Sequence, residues 1–162
     1  MGKTSLISRF ITQGFDPNIG KSMGVDIRAK TIDVKNLKIN LQIWDFIGQS
    51  DFRNLLLNYA RGASGGIFMY DITNNSSMRN IGNWLNFFKE KLPEWKEAVP
   101  MMVVGGKSDL SNKREVTLED AISISKDQQI FEFLECSSKT GLNVEKVFTD
   151  LTLQILRKSE SL

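Results

Sequence analysis

Short apolar runs alternate with segments of helical periodicity across the second half of the chain, and this alternation limits the possible folds more than any other feature. The apolar runs lie within Gly65–Thr73, Pro100–Gly105 and Phe131–Cys136, and each is as long as a buried strand. Helical periodicity marks residues 78–88, 118–128 and 144–155. Strands joined by helices of this length predict a mostly parallel sheet with helices on both faces.

The first half of the chain predicts a different local arrangement. Apolar and polar residues alternate in Val25–Val34 and Lys38–Asp45, with a turn near Asn36, which indicates an antiparallel hairpin. Glycines and a proline in residues 15–24 predict an exposed loop, and residues 50–61 predict a weaker helix. A further expectation concerns the next helix, for which Ser76 or Ser77 is the predicted cap.

Composition narrows the possible functions. The chain has 162 residues, which suits one domain, and its 21 basic and 19 acidic residues give no argument for nucleic-acid binding. The chain contains no histidine, which excludes a histidine-ligated metal site and a Ser-His-Asp triad within it. Its one cysteine, Cys136, cannot form an internal disulfide, and this fits a reducing, intracellular setting.

The chain opens on a chemically specific pattern, Gly2-Lys3-Thr4, directly before a segment of helical periodicity. The amides of a first helical turn point at an anion, a lysine adds positive charge, and a threonine hydroxyl can ligate magnesium. The same residues form the second half of the phosphate-binding signature G-x-x-x-x-G-K-[ST], whose first half is not in this sequence. The alternative is that three common residues happen to open a helix.

A second polar cluster follows the strand that ends at Asp45. An acid at the carboxyl end of a strand can hold a hydrated magnesium ion, Gly48 allows a ligand to approach the backbone, and Gln49 could orient a water. The competing interpretation is an ordinary turn. Polar residues also follow the strands near residues 105–109 and 136–139, and strand ends of a parallel sheet share one edge. This convergence favours a functional site.

At Gly106-Lys107-Ser108-Asp109 the chain resembles the Ras superfamily of small GTPases, nearest the Rab branch. The resemblance covers residues 1–158. The matching stretches are Gly24-Val25-Asp26, Trp44-Asp45-Phe46-Ile47-Gly48-Gln49, Tyr59-Ala60-Arg61-Gly62-Ala63, Tyr70-Asp71-Ile72-Thr73 and Ser137-Ser138-Lys139-Thr140-Gly141. The resemblance implies an α/β, P-loop NTPase-like fold of three layers, bound GTP or GDP, and Mg²⁺.

The resemblance also implies roles for single residues. At the phosphates, Gly2 and Ser5 belong to the binding helix start, Lys3 reaches the β- and γ-phosphates, and Thr4 ligates magnesium. Asp45 holds the metal through water, Ser22 senses magnesium and the γ-phosphate, Gly48 belongs to the nucleotide-binding residues, and Gln49 orients the attacking water. At the base, Phe15 and Lys107 lie along the guanine, Asp109 accepts two hydrogen bonds from it, and Ser138 offers its amide. Ser137 and Lys139 complete the predicted nucleotide-binding set.

Departures from the family pattern accompany these matches. Gly106 replaces an asparagine that contacts the base, so nucleotide binding should weaken by about 1–3 kcal/mol. Phe46 and Ile47 add bulk where the second switch segment rearranges, which counts against efficient hydrolysis. Ser50 replaces a glutamate, and the sequence shows no terminal cysteine for a lipid anchor.

The resemblance implies a single G domain over residues 1–162 that lacks the first strand of the family. Met1 is therefore expected to be an internal residue of a longer protein. The expected function is a GTP/GDP switch with slow hydrolysis, and its partners are guanine nucleotide, effectors, exchange factors and activating proteins. The expected location is cytoplasmic or peripheral to membranes. The alternative is a pseudo-GTPase that binds nucleotide weakly and acts as an interaction module.

Overall fold

The computed structural model describes residues 2–20, 24–46, 53–125 and 129–161. The strands are β1 (Val25–Val34), β2 (Leu37–Phe46), β3 (Gly66–Asp71), β4 (Met101–Gly106) and β5 (Ile130–Glu135). The helices are α1 (Lys3–Thr12), α2 (Arg53–Ala60), α3 (Asn75–Lys91), α4 (Trp95–Ala98), α5 (Leu118–Ser125) and α6 (Val144–Glu160), and a 3-10 helix spans Ser108–Lys113. Within the described ranges, no helix is long and apolar enough to cross a membrane.

Strand β4 lies at the centre of the core because its side chains are apolar on both faces. Met101 and Val103 pack in the cluster formed with α2 and α3, whereas Met102 and Val104 pack in the cluster formed with α1 and α6. On the α1 side, the Phe10 ring stacks on Phe148 with their centroids 3.9 Å apart. The predicted arrangement, a parallel sheet covered by helices on both faces, is confirmed.

The strands form two separate sheets. Strands β3, β4 and β5 are parallel and lie in that order, whereas β1 and β2 form an antiparallel pair from Val25 opposite Phe46 to Val34 opposite Leu37. Across the described ranges, no ladder joins β2 to β3. Instead, a cleft of 720 Å³ separates these two strands. The predicted parallel strands and antiparallel hairpin are therefore present, but they form two sheets where one continuous sheet was predicted.

The hairpin turn explains why β1 and β2 keep this register. Lys35 and Asn36 have φ angles of 49° and 65°, so both central residues are left-handed. A two-residue turn of this kind matches the twist of the flanking strands. The predicted turn near Asn36 is confirmed.

Helix α3 begins two or three residues earlier than the predicted cap, Ser76 or Ser77, would require. The Asn74 side chain accepts a hydrogen bond from the Ser77 amide at 3.2 Å, so Asn74 is the cap and the prediction of Ser76 or Ser77 is wrong. The Ser77 hydroxyl instead accepts from the Asp71 amide at 2.9 Å. This bond ties the start of α3 to the end of β3.

We expect the free energy of unfolding to fall as the pH rises from about 9 toward 12. Burial, aided by Glu135, raises the pKa of the Cys136 thiol from 9.0 to about 12, and burial raises that of Tyr70 from 10.0 to about 12. The folded state holds both protons more tightly than the unfolded state, so their contribution is complete below pH 9 and is lost above it. Urea unfolding at pH 8 and pH 10.5 measures the loss, expected to be on the order of a few kcal/mol.

The Cys136→Ala variant supplies the control for this pH dependence. It should be less stable at pH 8 because the missing sulfur leaves a small cavity. Its stability should nevertheless fall less steeply between pH 8 and pH 10.5, because only Tyr70 then contributes. Equal slopes for the two proteins would contradict the assignment to Cys136.

Candidate functional site

The phosphate end of the predicted site brings α1 against the end of β2. The Thr4 hydroxyl donates a hydrogen bond to Oδ2 of Asp45 at 2.6 Å, across 41 residues of sequence. Asp45 is buried, whereas Thr4, Lys3 and Ser5 are half-buried. Gly2 precedes the helix with a φ of 93°, a conformation that favours glycine over other residues. The structure therefore brings together the predicted residues 2–5 and Asp45.

The Lys3 ammonium has an unusual electrostatic environment. Burial lowers the pKa of Lys3, and the negative charge of Asp45 offsets part of that effect. A partly desolvated cation is poorly stabilised by its surroundings, so a bound anion would stabilise it further. This environment suits a lysine that contacts phosphate.

The base end is built from the loops that follow β4 and β5. The Ser137 hydroxyl donates to Oδ1 of Asp109 at 2.6 Å and accepts from the Thr140 amide at 3.1 Å. Ser137 is buried and Asp109 is half-buried. Ser137 thus fixes the orientation of the predicted base-binding carboxylate, a role that the sequence alone does not assign to it.

Main-chain bonds hold the two base loops together. The Ser108 amide donates to the Cys136 carbonyl at 3.0 Å, and the Cys136 amide donates to the Gly105 carbonyl at 2.8 Å. A turn closes where the Gly141 amide donates to the Ser137 carbonyl at 2.8 Å. Ser138 is half-buried and Lys139 is exposed on this turn. The predicted base residues on both loops therefore share one edge of the parallel sheet.

Asp71 is a site residue that the sequence analysis missed. The Lys107 ammonium lies 2.6 Å from Oδ2 of Asp71, and the Thr73 amide and hydroxyl donate to Oδ1 at 2.9 and 2.6 Å. Burial opposes ionisation of Asp71, but the bonds from Lys107 and Thr73 hold its pKa below the ordinary value. Asp71 ends β3 directly opposite Gly106 in the ladder. The sequence analysis included it in the matching stretch Tyr70-Asp71-Ile72-Thr73 but gave it no role.

Helix α1 also adjoins the base loops. A Cβ added at Gly141 would lie 2.7 Å from Nη2 of Arg9, and Gly141 has a φ of 86°. Glycine therefore lets the Arg9 guanidinium of α1 approach this turn. Phe15, which follows α1, is exposed. The predicted residues Ser22, Ile47, Gly48, Gln49 and Ser50 lie outside the residues that the structure describes.

The sequence matches the family model described as "Ras family" over residues 1–157. The match covers nearly the whole chain, including both ends of the site just described. The chain belongs to the Ras family of small GTPases.

Among known proteins, the chain is similar to several Rab proteins. It is 39% identical to Ras-related protein Rab-13 of Canis lupus familiaris over 159 residues, which cover 98% of this chain and 76% of that protein. It is 39% identical to Ras-related protein Rab-8B of Bos taurus over 158 residues, covering 98% and 74%. GTP-binding protein ypt4 of Schizosaccharomyces pombe is 34% identical, covering 98% of this chain and 68% of the relative. The chain is thus a Rab-like small GTPase.

Proposed function

We propose that this chain binds GTP and GDP with magnesium, hydrolyses GTP slowly, and presents one surface to effector proteins. The observation that most supports this proposal is the 2.6 Å hydrogen bond from the Thr4 hydroxyl to the Asp45 carboxylate at the start of α1. This contact places two oxygen ligands beside a half-buried lysine and a helix N-terminus. The same combination of groups suits a polyphosphate that is bound with a divalent cation.

The phosphates lie at the first turn of α1. The amides of residues 3–5 point toward them, and Lys3 contacts the β- and γ-phosphates. Thr4 and Asp45 fit magnesium because hydroxyl and carboxylate oxygens are the hard ligands this ion prefers. When bound, magnesium neutralises negative charge on the phosphate oxygens. Asp45 also accepts a hydrogen bond from Thr4 and so holds that hydroxyl in place.

The guanine base lies between the loops after β4 and β5. Asp109 accepts hydrogen bonds from the ring NH and the exocyclic amine, a pair of donors that adenine lacks. The bond from Ser137 keeps the carboxylate oriented before the base arrives. Phe15 and Lys107 cover the faces of the base. The Ser138 amide contacts the guanine oxygen, and Lys139 follows it in the same nucleotide-binding loop. The loss of an asparagine at Gly106 weakens binding without changing base preference.

Hydrolysis is slow on this proposal. Gln49 orients a water that attacks the γ-phosphorus, the bond to the β,γ-bridging oxygen breaks, and GDP and phosphate leave. Ser22 senses the γ-phosphate with its hydroxyl. Phe46 and Ile47 are bulkier than the family's threonine and alanine at these positions, which slows the reaction, and an activating protein supplies an arginine that accelerates it.

We expect Gln49→Leu to slow single-turnover GTP hydrolysis by at least ~10-fold, because the water then lacks its orienting amide. Affinity for GDP should stay within about twofold, since Gln49 does not contact the diphosphate. Single-turnover release of phosphate and fluorescent GDP titration measure the two quantities. Unchanged turnover would contradict the role of Gln49, and Asn58→Leu on α2 serves as a matched amide-to-apolar control.

Effectors dock on an exposed apolar patch formed by Ile27, Trp44 and Tyr59. Ile27 lies opposite Trp44 in the hairpin, and the Trp44 and Tyr59 rings have centroids 5.0 Å apart. All three side chains are exposed. Aromatic side chains of this kind commonly anchor protein interfaces. On this proposal the nucleotide state orders residues 15–24 and 46–61, and because Tyr59 belongs to the second segment, its ordering would change what the patch presents.

The test is a titration of the chain with fluorescent GDP, with and without EDTA, and with Thr4→Ala as the variant. The proposal expects saturable binding that competes with GTP but not ATP and weakens at least ~10-fold when magnesium or the Thr4 hydroxyl is removed. Ser8→Ala, farther along α1, is the matched control and should bind normally. Folded protein that binds no guanine nucleotide would overturn the proposal and favour the interaction module.

A further inference from the structure

A single carboxylate, that of Glu145, joins the end of α1 to both β1 and α6. The Gln13 side-chain amide donates a hydrogen bond to Oε1 of Glu145 at 2.6 Å, across 132 residues of sequence. The Lys30 ammonium of β1 lies 3.2 Å from the same oxygen, across 115 residues. Glu145 itself lies in the first turn of α6. One oxygen atom therefore connects three elements that are distant in sequence.

Lys30 reinforces this junction by contacting α1 directly. Its ammonium donates to the Phe10 carbonyl and lies 3.9 Å from the centroid of the Phe10 ring. Carbonyls in the last turn of a helix lack partners within the helix and attract cations. The Lys30 side chain is only 22% exposed, and the Phe10 ring stacks on Phe148 of α6. The end of α1 is thus fixed against β1 and α6.

Gln13 leaves α1 in a left-handed conformation that few side chains adopt. Its φ is 62°, and its backbone amide donates to the Arg9 carbonyl at 2.9 Å. Glycine or asparagine is the usual residue at such a helix end, so a glutamine there needs support from its surroundings. The side-chain bonds from Gln13 to Glu145 and to the Phe10 carbonyl, at 3.4 Å, supply that support. Glu145 therefore helps to set the direction in which the chain leaves α1.

Phe15, the residue expected to lie along the guanine, comes two positions after Gln13. Its side chain is 39% exposed, so packing does little to fix it. The Gly14 amide donates to the Thr12 hydroxyl at 3.2 Å, but this bond lies within the same short stretch of chain. A local bond shapes the stretch without placing it against the rest of the molecule. The Gln13 bond to Glu145 supplies a long-range contact immediately before Phe15.

The position of Glu145 connects this contact to the base end of the site. Helix α6 follows directly on the loop of residues 136–143, which carries Ser137 and Ser138. Fixing Gln13 to the start of α6 therefore fixes the stretch that carries Phe15 relative to that loop. We propose that Glu145 is a positioning residue that holds Phe15 beside the guanine base by anchoring Gln13. This inference rests on the proposed guanine site.

Titration with fluorescent GDP in the presence of magnesium tests the role of Glu145. The Glu145 side chain is 56% exposed, so its contacts make a modest contribution. Glu145→Ala should bind GDP at least ~3-fold more weakly than the original chain. Glu145→Gln keeps an oxygen that accepts from Gln13, so it should bind at least ~2-fold more tightly than Glu145→Ala. Glu160→Ala, at the exposed far end of α6, is the matched control and should bind normally.

A double-mutant cycle separates positioning of Phe15 from a general effect on the fold. The cycle combines Glu145→Ala with Phe15→Ala and measures GDP affinity for all four proteins. Once the Phe15 ring is absent, Glu145→Ala should weaken GDP binding by no more than about 1.5-fold, because there is no ring left to position. Equal fold losses in the two backgrounds would show that Glu145 acts independently of Phe15 and would overturn the inference.

The same titrations distinguish failure of this inference from failure of the proposed function. A folded original chain that binds no GDP would overturn both. If the original chain binds GDP and Glu145→Ala binds it equally tightly, the guanine site stands and the positioning role of Glu145 is wrong. A Glu145→Gln variant as weak as Glu145→Ala would also contradict the role, because an accepting oxygen is still present.

Discussion

The Asp109→Asn variant is expected to lose at least ~100-fold in GDP affinity and to gain preference for xanthine nucleotides. The carboxylate forms two charge-assisted hydrogen bonds with guanine on the proposed geometry, each worth about 1.5–3 kcal/mol. Asparagine presents one donor and one acceptor, which matches the additional carbonyl of xanthine. Competition between unlabelled GDP and XDP for a fluorescent nucleotide measures both effects.

The Ser137→Ala variant is the control for this prediction. Ser137 holds Asp109 through a 2.6 Å hydrogen bond, so its loss should lower GDP affinity by about tenfold or less. Base preference should remain unchanged because the carboxylate is still present. An Asp109→Asn variant that still prefers GDP over XDP would show that Asp109 does not read the base.

The Lys3→Met variant should separate binding from stability. Burial lowers the pKa of Lys3, so the folded protein tolerates the charged form less well than the unfolded chain does. Methionine removes this penalty and keeps the length of the side chain. We therefore expect GDP affinity to fall at least ~100-fold while Tm stays unchanged or rises. Fluorescent titration and thermal unfolding of the nucleotide-free proteins measure the two quantities.

Lys38→Met makes the same charge change on an exposed position of β2. It should leave both GDP affinity and Tm within error of the original chain, since surface charges contribute little. A fall in Tm for Lys3→Met would mean that the lysine stabilises the fold through Asp45. Retained affinity would remove Lys3 from the phosphate site.

Much of the fold could be predicted because periodicity and turn chemistry are local. The alternation in Val25–Val34 predicts a strand whichever residues pack against it, and Asn36 predicts a turn because it tolerates a positive φ. The apolar runs of β3, β4 and β5 likewise indicate burial on both faces. The strand ends then place Asp45 and Asp109 on the predicted edges.

The remaining features depend on contacts between distant residues. The Lys107–Asp71 ion pair forms only because β3 and β4 end side by side, and no local pattern indicates it. The Asn74 cap was missed because the apolar stripe of α3 begins later than the helix itself. The two sheets are separate because β2 and β3 do not pair in the described residues. The periodicity within a strand predicts that the strand forms but not which strand it pairs with.

The contacts that hold the base loops together have a consequence for nucleotide exchange. Ser108 forms a hydrogen bond with Cys136, and Ser137 forms one with Asp109. Lys107 forms an ion pair with Asp71. These contacts are present without a nucleotide. If these loops bind guanine as proposed, they need little reordering when the base enters, which favours rapid association at that end. Residence time should then be governed by the phosphate contacts around Lys3 and Thr4. A protein that accelerates release would act most effectively on that end of the site.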